Sequence, residues 1–310
     1  MQHELVDPKK SVSPELNRRA FVGLSAGAAT LTTGISAAAG QTATYGKPHP
    51  PIVPENDPSI TTKWVKLHWL DGDIDAYTAV PKNATATTPG IVVVQHVWGI
   101  DSAIRDVVRR YAKEGYVTIA PALYSRWNPP NGDGVSDLNV FRPFANRFTD
   151  AQVDGDLSAG AQWIRTRAGK SVTDHTPKVG VTGFCAGAGI ALRQALDTPY
   201  YDALVMFYGN VLQEADPTKG LTPASFAYLR NVKTPVLGSF GGRDQSPGIQ
   251  PAEVRAFQAA LTADKLPNDI KIYPEAGHAF FDDTRSSWVP TAAGDAWPRV
   301  VAWWNKYLKA

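Results

Sequence analysis

The sequence predicts an α/β fold: a mostly parallel sheet covered by helices on both faces. Three observations carry this expectation. From about residue 90 onward, short apolar runs alternate with longer helix-like stretches, the pattern of strands connected through crossover helices. At 310 residues and 43% hydrophobic content, the chain can bury the core of one large domain. The segment Gly183, Phe184, Cys185, Ala186, Gly187 lies between an apolar run and a helix-like stretch, where only a sharp strand-to-helix turn fits.

Residues 1–39 read as an export signal. Asn17 to Leu24 looks like a twin-arginine motif, with Arg18 and Arg19 followed by a moderately apolar stretch rich in Ala, Gly, Ser and Thr. Such a stretch suits a signal better than a membrane span, and Ala37, Ala38 and Ala39 provide small residues for cleavage near Ala39. The expected partner is the twin-arginine machinery and the expected location the bacterial periplasm or the exterior, with no membrane attachment after removal. Residues 40–60 hold five prolines, which favour an extended linker or arm. A single domain is expected over 61–310.

That domain opens with strands over 64–69 and 74–80, joined by the turn Asp71, Gly72, Asp73 as an antiparallel hairpin. Strands are expected next over 91–95, 117–120, 179–182, 203–207, 236–240 and 270–273. Helices are expected over 103–114, 151–167, 189–196, 252–261 and 297–308. Between 124 and 150 lies a long loop rich in Asn, Pro, Gly and Asp; loops of that length are often functional. The net charge of +2 and the absence of any Lys/Arg-rich run beyond the N-terminus argue against nucleic acid or an anionic membrane surface as partner. A small molecule is the better expectation. With one cysteine there is no internal disulfide and no multi-cysteine metal site.

Cys185 sits where an α/β-hydrolase places its nucleophile. A thiol nucleophile needs a base, and the base needs a group that orients it, each following a later strand. Asp244 follows the run 236–240 and the pair Gly241, Gly242; His278 follows the run 270–273. They are the expected acid and base, in the order this architecture uses. The oxyanion hole should combine the backbone N–H of Ala186 with one from the loop after residue 95, where Val97 is the candidate. His96 stands at that strand end and could point into the pocket.

With these residues in view, the chain resembles the dienelactone hydrolase family of α/β-hydrolases from about Trp64 to Leu308. The resemblance rests on residues 183–187, on the stretch from Ile104 to Arg126, on Gly241 to Asp244, and on Gly277 to Phe281. It implies a Cys185, His278, Asp244 triad, no metal or organic cofactor, and hydrolysis of a small ester or lactone through an acyl-thioester. It also implies a substrate pocket near His96, Trp98, Phe280 and Arg285. Three positions depart from the family, one of them, Ala188 in place of a common second glycine, only a minor steric change. Glu is usual where this chain has His96, and members acting on dienelactone carry Arg four residues beyond the catalytic histidine, where this chain has Asp282. The anion-binding role would then fall to another cation such as Arg285, Arg126 or Arg243. A charged His96 could stabilise a thiolate, and a neutral one could accept a proton. The reading from another class is a non-catalytic scaffold that binds a ligand or senses oxidation through Cys185.

Overall fold

The computed structural model describes residues 44–69, 72–212, 221 and 223–310. The twin-arginine-like segment, the cleavage site near Ala39 and Asp71 of the expected turn lie outside the described residues. Each expected apolar run is a strand: β1 Ile60–Trp69, β2 Gly72–Pro81, β3 Gly90–Val94, β4 Val117–Pro121, β5 Val179–Phe184, β6 Ala203–Phe207, β7 Val236–Gly241 and β8 Asn268–Tyr273. They form one sheet in the order β1-β2-β4-β3-β5-β6-β7-β8. β1 and β2 pair antiparallel, as do β2 and β4, and every pairing from β4 through β8 is parallel.

The α/β expectation holds, and the reason lies in the strands' composition. β3, β4, β5, β6 and β7 are buried at every position, as they must be when helices cover both faces of a parallel sheet. Alternate residues of β3 divide the core: Val92 and Val94 join one apolar cluster, Ile91 and Val93 the other. On the first face pack α3 Asp150–Thr166, α4 Ala186–Asp197 and α5 Pro251–Ala263; on the second pack α1 Ser102–Lys113 and α6 Pro290–Leu308. A Cβ at Gly180 would come within 2.5 Å of the Trp304 ring, so β5 must carry glycine where α6 lies on it.

The helix ends follow from local chemistry. Asp101 accepts from the N–H of Ile104 and caps α1, and Thr149 with Gln152 forms a capping box on α3. α6 begins seven residues before the expected start. Pro290 suits a first turn, where no N–H is needed, and Ala292, Ala296, Val300, Trp304 and Leu308 keep one buried face running past Pro298. The loop after β4 is not featureless. It contains short 3-10 turns and the one-turn α2 Arg142–Ala145, and its Tyr124, Phe141 and Phe148 stack, with Phe141 fully buried.

The proline-rich arm is extended and fastened to the domain. The N–H groups of Ile52 and Val53 donate to Asp106 at 3.0 and 2.8 Å, and the buried Arg109 donates to the carbonyl of Val53 and pairs with Glu55. Further along, Gly46 and His49 donate to the carbonyls of Trp288 and Asp283.

Candidate active site

Cys185 follows β5 and precedes α4 with φ 56° and ψ −124°, a conformation that costs a non-glycine residue on the order of 1–3 kcal/mol. The surroundings hold it there. Its N–H donates to the carbonyl of Phe207, and the turn has no room for side chains on either flank. A Cβ at Gly183 would lie 2.1 Å from the carbonyl oxygen of Gly187, and one at Gly187 would lie 2.2 Å from that of Gln95.

The loops after β7 and β8 bring in the other two groups. A Cβ at Gly241 would meet the carbonyl oxygen of Gly277 at 2.5 Å, so the two loops touch directly. Asp244, nearly fully buried, accepts from the N–H of Ser246 with Oδ1 and faces His278 Nδ1 with Oδ2 at 2.7 Å. His278 Nε2 stands 3.1 Å from Cys185 Sγ. The three expected residues are therefore one hydrogen-bonded chain, although they lie far apart in sequence.

The electrostatics favour an ion pair within that chain. Burial resists charging His278, yet the neighbouring Cys185 sulfur and Asp244 carboxylate raise it to about 10. Burial alone would push the Cys185 thiol up; His278, with help from His96 and the N–H of Ala186, brings it below its usual value. The position at the first turn of α4 acts in the same direction, because a helix N-terminus favours negative charge. Thiolate and imidazolium are thus the matched states. Ala186 offers its N–H at the sulfur, and Val97 follows β3 in the loop whose Gln95 carbonyl abuts Gly187.

The expected pocket residues are distributed differently. His96 is only 5% exposed, with Nε2 2.9 Å from Asp101 Oδ1 and Nδ1 3.9 Å from Asp282 Oδ2. At the closer contact the ring nitrogen lies near the carboxylate without hydrogen-bond alignment. Trp98 meets the His96 ring edge-on at 5.0 Å and carries the Arg285 guanidinium over its face at 3.6 Å. Arg285, considered as a cation for an anionic substrate, is committed: it pairs with Asp101 and Asp282, each at 3.0 Å, and donates to the carbonyl of Val135. Arg126 is held by both oxygens of Asp156. Phe280 is fully buried between Tyr208 and Tyr273, so it is a core residue and not a pocket wall.

Two residues of this centre escaped the sequence reading. Tyr208, at the tip of β6 with φ 40°, is buried with its ring 5.3 Å from that of His278. The rule that singled out Cys185, Asp244 and His278, a chemically capable side chain in the segment after a strand, also points to it. Asp101, which caps α1, is the other: its partnership with His96 joins segments that no local pattern links.

Comparisons with known proteins place this fold among known relatives. The model of the dienelactone hydrolase family matches residues 74–308. A protein of Escherichia coli (strain K12) named "Putative carboxymethylenebutenolidase" is 32% identical over 256 residues, covering 83% of this chain and 91% of the relative. A protein of the same name from Methylorubrum extorquens is 37% identical over 247 residues, covering 78% and 80%. Among solved structures, a crystal structure titled "Putative Dienelactone Hydrolase" from Klebsiella pneumoniae superposes with a TM-score of 0.67 at 33% identity, covering 80% of this chain and 99% of that one.

Proposed function

The chain belongs to the dienelactone hydrolase family, and from that we propose that it hydrolyses a small ester or lactone through a thioester on Cys185. The observation that carries this reading is the continuous chain from Cys185 Sγ through both nitrogens of His278 to Asp244, at 3.1 and 2.7 Å. The thiolate attacks the carbonyl carbon, and the displaced electron pair moves to the carbonyl oxygen, held by the N–H groups of Ala186 and Val97. As the intermediate collapses, the bond to the leaving alkoxide breaks and His278 Nε2 supplies its proton. A water then gives a proton to His278 and attacks the thioester; the C–S bond breaks, its electrons return to sulfur, and the acid departs. Asp244 keeps Nδ1 protonated throughout, so Nε2 is the nitrogen that exchanges protons.

Cys185→Ala tests the assignment. It should abolish hydrolysis of p-nitrophenyl acetate and of a simple lactone while the far-UV circular dichroism stays unchanged; retained turnover would falsify the thioester route. Export through the twin-arginine route is part of the same proposal and rests on Arg18 and Arg19. Replacing both by Lys should leave the protein in the cytoplasmic fraction, and unaltered periplasmic recovery would overturn it.

A further inference from the structure

We propose that His96 is a positioning residue for this chemistry: a buried cation, fixed beside the elbow by Asp101 and Asp282, that keeps Cys185 as thiolate independently of His278. The inference rests on the reading of Cys185 as the nucleophile and goes beyond it by assigning the thiolate a second, permanent counter-charge.

The geometry begins with the sheet. β3 and β5 are parallel neighbours in register, with Val94 opposite Gly183. His96 is two residues past Val94 and Cys185 two residues past Gly183, so adjacent strands deliver both to the same end of the sheet. His96 lines a cavity of about 20 Å³, the room of a single water, together with Phe184, Tyr208, Asp282 and Asp283 among others. Phe184 and Tyr208 are direct neighbours of the nucleophile. One precedes it in sequence, and the other follows Phe207, whose carbonyl accepts from the Cys185 N–H.

The charges around His96 come from two elements. Asp101 approaches from the head of α1, and Asp282 and Arg285 from the loop after β8. Arg110 of α1 and Asp283 also border the cavity, but they belong to a separate cluster in which Arg110 bridges Asp283 and Asp106 and His49 approaches Asp283. Tyr208 remains neutral, since burial pushes its phenol well up. Two carboxylates therefore face one guanidinium and one imidazole, and only a protonated imidazole balances the buried set. A lone buried charge would cost several kcal/mol, which is what a neutral His96 would impose on the carboxylates. In agreement, burial opposes charging His96, yet Asp101 and Asp282 raise its pKa, and its proximity helps lower that of Cys185.

The division of labour has a chemical consequence. His278 must release and regain a proton in each half-reaction, so its charge on the sulfur disappears at the moment the thioester has to be cleaved. His96 is walled off by Asp101, Asp282 and Trp98 and has no role in shuttling protons. Its charge persists during deacylation, when the C–S bond breaks and its electron pair returns to sulfur.

The test is the pH dependence of Cys185 alkylation by iodoacetamide without substrate, alongside steady-state hydrolysis of p-nitrophenyl acetate. Loss of a unit charge at this range should slow alkylation at pH 7 by about tenfold in His96→Gln and shift its profile to higher pH. It should lower kcat with little change in KM. Asp282→Asn, which preserves shape and removes one anchor, should shift the profile in the same direction by less, and it carries the test if His96→Gln does not fold. An unchanged alkylation profile in either folded variant, with only a lower Tm, overturns the proposal. A wild-type thiol that reacts at low pH and loses this in His96→Gln supports it even with no ester turnover, a result that would instead sink the hydrolase reading.

Discussion

Gly187→Ala isolates the oxyanion hole from the nucleophile. Alanine in the first turn of α4 would ordinarily stabilise the helix by up to about 1 kcal/mol relative to glycine. Here its Cβ would sit 2.2 Å from the carbonyl oxygen of Gln95 and 2.8 Å from that of Val94. Both are backbone atoms at the end of a strand held on two sides by β4 and β5, so neither can rotate away as a side chain would. The gap must open by about 0.8 Å before the closer contact reaches 3.0 Å, the shortest that Cβ atoms tolerate. Because Val97 is two residues beyond Gln95, that opening moves its N–H away from the Ala186 N–H. A displacement near 1 Å, or the loss of one oxyanion donor, lowers kcat by about 100-fold, and the overpacking costs about 1–3 kcal/mol of stability. The assay is kcat on a p-nitrophenyl ester with iodoacetamide alkylation in parallel. Alkylation develops no oxyanion and should be little changed. Wild-type kcat together with a raised Tm would refute the reasoning, because it would mean that the loop carrying Val97 does not press on the elbow.

Other outcomes follow from the same contacts. Asp244→Asn should lower kcat by about 10³-fold or more, since the 2.7 Å contact that fixes the imidazole tautomer is lost; a loss under tenfold would contradict its orienting role. In the wild type, kcat/KM should climb on the acid side as the depressed thiol ionises and fall near pH 10 as the His278 imidazolium deprotonates. The alkaline limb should move to lower pH in Asp244→Asn, because that carboxylate helps hold the proton on His278; an unmoved limb would assign it to another group. Trp304→Ala should cost about 3–5 kcal/mol in chemical denaturation, because the ring is fully buried against Gly180. Arg109→Ala should cost about 3–5 kcal/mol and expose residues 44–59 to limited proteolysis, as it unpairs the buried link from α1 to Val53 and Glu55; an equally protected arm would show that its contacts to Asp106, Trp288 and Asp283 suffice.

The eight strands and five main helices were legible because their signals are short-ranged: apolar runs, caps, and Gly or Pro at the breaks. Cys185, Asp244 and His278 were legible for a related reason. In a parallel sheet, residues that directly follow successive strands collect at one end, so the linear order predicts a spatial cluster. The same logic fails one shell further out. Arg285 looked like a cation for an anionic substrate and Phe280 like a pocket wall, because a side chain's partners are decided by what folds over it, and Asp101 lies 184 positions from Arg285.

What the sequence determined by itself is the fold class and which three residues, Cys185, His278 and Asp244, meet in one hydrogen-bonded chain, all written in periodicity and in residues that follow strands. Only the tertiary structure placed β4 between β2 and β3, and only it set His96 and Asp282, two of the departures from the family, against each other. The physical reason is charge compensation: a buried imidazole acquires its protonation state from carboxylates brought beside it by separate loops, and no local stretch of sequence carries that information.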